Sequence, residues 1–210
     1  MREKPRKISD NICNQKYHYN ITMQIVVARY NENIEWTKLF PDVVIYNKGE
    51  PLPPGYNEIV LDNVGREGHT YYTHIYNNYD NLDEYTVFLQ GNPFDHSPNI
   101  IKNLDAIMEM IENNTIIQFG IVSEEIFNTN TTDCPYHIGL PLGDVYERLF
   151  DEKIPNMEYE FGSGAQFIVS NSTIKRHPRE FYLEIIRMLE YDANPVEGYV
   201  IERFHTLIFR

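Results

Sequence analysis

Short apolar runs separated by amphipathic stripes constrain this chain more than any other feature. Residues 23–28 (MQIVVA), 43–46 (VVIY), 85–89 (YTVFL), 116–122 (IIQFGIV) and 165–170 (AQFIVS) are apolar stretches of strand length, and such runs read as strands with both faces covered. Ile59 to Leu61 offers one more short strand. Between them the period changes to that of a helix. Tyr72, Ile75, Tyr76 and Tyr79 predict a helix over 68–79, and Ile100, Ile101, Leu104, Ile107, Met108 and Ile111 predict one from Ser97-Pro98 to Asn113. A short helix fits 142–150, and another fits 178–190 with Phe181, Tyr182, Ile185, Ile186 and Leu189 inward. Residues 34–40 offer Ile34, Trp36, Leu39 and Phe40 to a short amphipathic helix, while 200–209 is open between strand and helix. Strands alternating with helices over most of a chain predict a mixed, mainly parallel sheet flanked by helices, in one α/β domain over 23–210 behind a polar arm at 1–22.

Composition narrows the function. With 42% hydrophobic residues in 210, there is ample material for a core. A formal charge of −13 argues against holding a nucleic-acid backbone, which requires clustered Lys and Arg. One diphosphate is still within reach, because a cation or a helix N-terminus can neutralise it. No apolar run approaches the ~20 residues of a membrane span, and the polar, basic start lacks a signal-type apolar region. The expectation is a cytoplasmic protein whose Cys13 and Cys134 are reduced and whose sequons at Asn20 and Asn171 stay unmodified. Oligomeric state is not legible.

The polar landmarks gather where strands end. Run 85–89 leads directly into Gln90-Gly91-Asn92-Pro93-Phe94-Asp95-His96, and run 23–28 into Arg29-Tyr30-Asn31-Glu32-Asn33; in open α/β sheets ligands bind outside such carboxyl ends. Gly65-Arg66-Glu67-Gly68-His69 sets an Arg and a His at a helix start, where the dipole favours an anion, so Arg66 is a candidate phosphate or carboxylate clamp; its alternative is a surface pair with a neighbouring carboxylate. His69 and His74, five apart, diverge on a helix and do not suit zinc. Asn92 reads as an uncharged ligand or simply as a turn residue before Pro93. His96 reads as a metal ligand or as a cap for the helix that follows. Neither Cys134 with His137 nor Ser163 in Gly-Ser-Gly has the setting of a hydrolase nucleophile.

Five blocks, VVARYNEN (26–33), NVGREGHTYYTHI (63–75), VFLQGNPFDH (87–96), GAQFIVS (164–170) and PREFY (178–182), occur in the order that resembles the DUF3431 family. Their arrangement also resembles a reduced GT-A glycosyltransferase fold, in which the first strand ends on a nucleotide and a middle strand ends in acidic residues that hold a divalent ion. That resemblance implies a transferase moving a sugar from a nucleotide sugar, a UDP-sugar foremost, to the hydroxyl of a glycan or protein acceptor with Mn²⁺ or Mg²⁺. It would set Ala28, Arg29, Tyr30, Asn31, Arg66, His69, Gln90, Gly91 and Asn92 on the donor, Gly164 and Gln166 on the acceptor, and Asp95 and the late His205 on the metal. Glu160 or Asp144 would be the base that accepts the hydroxyl proton. The chain departs from the GT-A pattern in having Asn92 where an Asp-x-Asp pair is usual. That departure keeps open the alternative of a sugar- or nucleotide-binding module without catalysis.

Overall fold

A computed structural model describes residues 22–132, 134 and 137–210; the N-terminal arm, apart from Thr22, and Cys13 lie outside the described residues. In chain order the elements are β1 (Met23–Arg29), a 3-10 turn (Glu35–Leu39), β2 (Val43–Asn47), β3 (Glu58–Val60), α1 (Arg66–Asn78), β4 (Tyr85–Gln90), α2 (Ile100–Glu112) and β5 (Phe119–Ile121). They continue with β6 (Ile126–Asn130), α3 (Leu142–Phe150), β7 (Glu158–Gly162), β8 (Phe167–Ser170), α4 (Asn171–Ile174), α5 (Arg179–Leu189) and α6 (Val196–Ile208).

Six strands form one sheet in the order β3-β2-β1-β4-β8-β5. The first four are mutually parallel, and β8 runs antiparallel to both β4 and β5. Both faces are covered, which is why the strands read as continuous apolar runs. Val26, Val44, Phe88, Phe167 and Val169 pack on one side against Tyr71, Tyr72 and Ile75 of α1, Ile185 of α5 and Phe204 of α6. Ile25, Val27, Ile45, Val87, Leu89 and Ile168 pack on the other against Ile100, Leu104 and Ile111 of α2 and against Trp36 and Phe40. Alternate residues of one strand thus enter two cores, and truncating a fully buried ring such as Phe88 to Ala would cost about 3–5 kcal/mol.

The differences from the sequence reading have local causes. Residues 34–40 form a 3-10 turn in which Ile34, Thr37 and Phe40, three apart, face inward, and Leu39 is 68% exposed instead of buried. The strand expected over 116–122 keeps only three residues, because β8 pairs only with Phe119 to Ile121; Ile116 is 82% exposed. The ambiguous C-terminal segment is helix α6, with Val200, Ile201, Phe204 and Ile208 inward. Strands β6 and β7 form a separate antiparallel pair that the sequence reading lacks.

Candidate functional site

Strand order fixes where a crevice must open. From β1 the chain moves to β2 and β3 on one side, then returns to place β4 on the other. The loops after β1 and β4 therefore diverge, which is the topological switch point at which open sheets bind ligands. A cleft of about 330 Å³ lies there, lined by Ala28, Arg29, Tyr30 and Glu32 after β1, Lys48 after β2, Asn63, Arg66 and Glu67 around the start of α1, and Gln90, Asn92 and Asp95 after β4. Three cations (Arg29, Lys48, Arg66) face three carboxylates (Glu32, Glu67, Asp95), so the lining is formally neutral within a chain of charge −13.

Each wall is held from below. The buried Arg29 donates through Nη1 to Asn47 Oδ1 (2.6 Å) and Glu50 O (2.9 Å) and through Nε to Glu32 O (3.0 Å). It is thereby the clamp between the loops after β1 and β2. Gly49 is what lets those loops meet, since a Cβ there would stand 1.6 Å from Tyr30 O. Gly91 is tied under the cleft, its N–H donating to Ala28 O (2.8 Å) and its carbonyl accepting from Trp36 Nε1 (3.0 Å). Lys48 Nζ donates to the carbonyls of Val64 and Arg66, both at 2.5 Å; burial pulls its pKa down to about 8, partly countered by Glu67.

Arg66 opens α1 behind Gly65, which is left-handed at φ 65. Its guanidinium lies over the Tyr199 ring (4.2 Å) and donates through Nη1 to Asn194 Oδ1 (3.0 Å), while Nη2 is 3.6 Å from Glu67. Its Nε is buried without a protein partner, and a buried donor left in that state is costly. Tyr30, 52% exposed, stands at the mouth. Asp95 is exposed on the opposite wall in the single 3-10 turn Pro93–Asp95.

Seven residues expected to bind the donor or the metal, Ala28, Arg29, Tyr30, Arg66, Gln90, Asn92 and Asp95, are thus brought together. Others stand apart. Asn31 uses its Oδ1 to accept from Glu50 N–H. His69 is buried beneath the start of α1, and burial with the Lys48 charge lowers its pKa to about 4, which leaves it neutral at pH 7. Gln166 is buried behind β4 and donates to Pro93 O (2.9 Å). Gly164, at φ 74, donates its N–H to Glu202 Oε1 (2.8 Å); a Cβ there would stand 2.4 Å from His96 Cδ2 and 3.1 Å from Gln90 Oε1. Glu160 is exposed on β7 of the two-stranded sheet, and Asp144 is exposed in the first turn of α3; neither lines the cleft. His205 lies in the core, its ring 4.4 Å from that of Phe167, with its pKa lowered to about 3 by burial. Ser163 Oγ and Glu125 Oε2 both engage the one nitrogen Nδ1 of His96 (3.0 and 2.8 Å), which is not the relay of a nucleophilic triad.

Glu32, Lys48 and Asn63 line the cleft without a sequence signal having assigned them to it, and Glu67 is the carboxylate that the alternative reading of Arg66 pairs with it, 3.6 Å away. Lys48 nonetheless carried a legible signal, since it directly follows the buried strand β2 as Tyr30 follows β1. Among the described residues no group of three or more His, Cys, Asp or Glu side chains is placed to hold a metal ion. The cleft offers oxygen donors, with Asp95 as its exposed carboxylate. Such a set suits Mg²⁺ or Mn²⁺ arriving with a ligand's phosphates rather than a closed protein site.

Fold and crevice together define a single mixed α/β domain with a small polar ligand cleft at its switch point. The chain belongs to the family described as "Protein of unknown function (DUF3431)", which matches residues 25–210. No curated protein and no solved structure matches it.

Proposed function

We propose that the cleft binds the diphosphate of a nucleotide sugar, a UDP-sugar foremost, and that the protein is a glycosyltransferase acting on the hydroxyl of a glycan or protein acceptor. The observation that carries this reading is the convergence of Lys48 and Arg66 at the switch point, opposite Asp95. Charged donors on one wall suit phosphate oxygens. Tyr30 at the mouth offers a ring for the base to lie against. A cleft of about 330 Å³ matches the phosphates and part of the sugar, with the base at the rim. A divalent ion carried in by the diphosphate would rest on Asp95 and supply charge neutralisation for the leaving phosphate. The protein's own share is to hold the diphosphate with Lys48 and Arg66 and to keep the loops rigid through Arg29.

A second reading, a binding module without catalysis, is favoured by the positions of Glu160 and Asp144 outside the cleft and by an amide at position 92. Calorimetric titration of UDP- and GDP-sugars with and without Mn²⁺ tests both. Micromolar binding that needs the metal, and that weakens at least 10-fold in Arg66→Gln and Asp95→Asn, supports the transferase. Metal-independent binding untouched by Asp95→Asn supports the module, and the absence of any binding refutes both.

A further inference from the structure

Lys48 enters the cleft from the end of β2, where its backbone N–H donates to Arg29 O (2.9 Å). Its half-buried Nζ is held by two backbone carbonyls, Val64 O and Arg66 O, both at 2.5 Å, and by no carboxylate among the described residues. The turn that supplies them carries two consecutive positive φ angles, 65 at Gly65 and 52 at Arg66, the second uncommon for an arginine. Gly65 N–H on Asp192 O (2.8 Å) and Arg66 N–H on Ala193 O (3.2 Å) keep that turn in place; backbone strain of this kind gathers at binding sites. A neutral amine has two protons and one lone pair. With both protons on the carbonyls, the lone pair occupies the tetrahedral position that no protein atom fills. Asn63, Arg66 and Glu67, the residues around Nζ, all line the cleft, so that position opens towards a ligand. Burial is the larger influence on Nζ and brings its pKa down to about 8, with Glu67 acting the other way. His69 is the other titratable group that senses its charge. At pH 8 about half of the chains therefore carry the free amine.

We infer that Lys48 captures a small phosphate-bearing aldehyde as an imine, with the phosphate resting on the Arg66 guanidinium of the same wall. The inference is independent of the transferase reading, since a diphosphate meets Nζ as an ammonium and an aldehyde meets it as an amine. In the step, the Nζ lone pair adds to the carbonyl carbon and one N–H proton passes to the carbonyl oxygen, giving a carbinolamine. That oxygen then leaves as water with the second N–H proton, and a C=N bond remains. Nothing is oxidised or reduced. A lysine desolvated in a cleft is the usual means by which proteins make this nucleophile at neutral pH.

The test incubates the full chain at pH 8 with pyridoxal 5′-phosphate or glycolaldehyde phosphate, reduces the product with borohydride and maps the adducts by peptide mass spectrometry. At that pH an ordinary lysine is about 0.3% free amine and Lys48 about 50%, a ratio of roughly 150. The weaker nucleophilicity of a less basic amine cuts this to about 10-fold in rate. Lys48 should therefore take either label about 10-fold faster than any other of the eight lysines, and its rate should climb through a midpoint near pH 8. Pyridoxal without its phosphate should label Lys48 about 10-fold more slowly. Lys48→Arg, which keeps the charge, should lose the fast site and leave the slow ones as they were. Label spread over the lysines with no preference for Lys48 overturns the imine site, and this mapping is read on the wild type whether or not Lys48→Arg folds. Equal labelling of Lys48 by pyridoxal and by its phosphate overturns the phosphate-bearing ligand class.

Discussion

Lys48 should make this protein more stable as pH rises from 8 towards 10.5. Its pKa is near 10.5 in the unfolded chain and about 8 in the fold, where burial penalises the ammonium. For a base depressed by folding, the cost is fully present below the folded value, shrinks between the two, and is gone above the unfolded one. A difference of 2.5 units corresponds to about 3 kcal/mol, an upper figure for a half-buried group. Lys48→Met removes the titration along with two hydrogen bonds to the Val64 and Arg66 carbonyls, worth about 1 kcal/mol each. Its absolute stability at pH 7 should therefore lie close to that of wild type, and the informative quantity is the difference between the two proteins at each pH. Urea unfolding at pH 7, 8.5 and 10 measures it, with every other titrating group common to both. The wild type should gain about 2.5 kcal/mol on the variant across that range, and parallel curves would refute the argument that burial strains this ammonium.

Arg29→Met should destabilise the fold by about 3 kcal/mol, or roughly 6–12 °C in Tm for a chain of this size, because buried charge-assisted bonds to Asn47, Glu50 and Glu32 are lost together; thermal melts check this. His205 is lowered to about 3, so acidification from pH 6.5 protonates the unfolded chain first and stability falls through that window. His205→Phe should remove this term and hold about 3 kcal/mol more stability than wild type at pH 4, read by urea unfolding. Chelation with EDTA should leave the Tm of the ligand-free protein unchanged, and a fall of several degrees would reveal a resident ion.

The fold was largely legible because burial on both sheet faces writes itself as unbroken apolar runs, as in residues 23–28 and 85–89. Residues 158–162 were harder: Tyr159 and Phe161 alternate with Glu158 and Glu160, a half-buried strand signal, but it is only five residues long inside an acidic stretch. The cleft was partly legible for the same reason that strands were, since Tyr30 follows β1 directly, Gln90 ends β4 and Asp95 lies in the turn after it. The burial of His205 was not, because it depends on how α6 packs against Tyr71 and Tyr72 of α1, more than a hundred residues away in the sequence.

Strand β8 has a consequence for the growing chain. It lies between β4 and β5, so β5, at 119–121, has no neighbour in the sheet until residues 167–170 have been made. Throughout that interval on the ribosome the open side of Tyr85–Gln90 is an unpaired, apolar edge, the kind that recruits foreign strands. Fragments ending before residue 167 should aggregate where the full chain stays dispersed, and slow synthesis over 121–167 would lengthen the exposure.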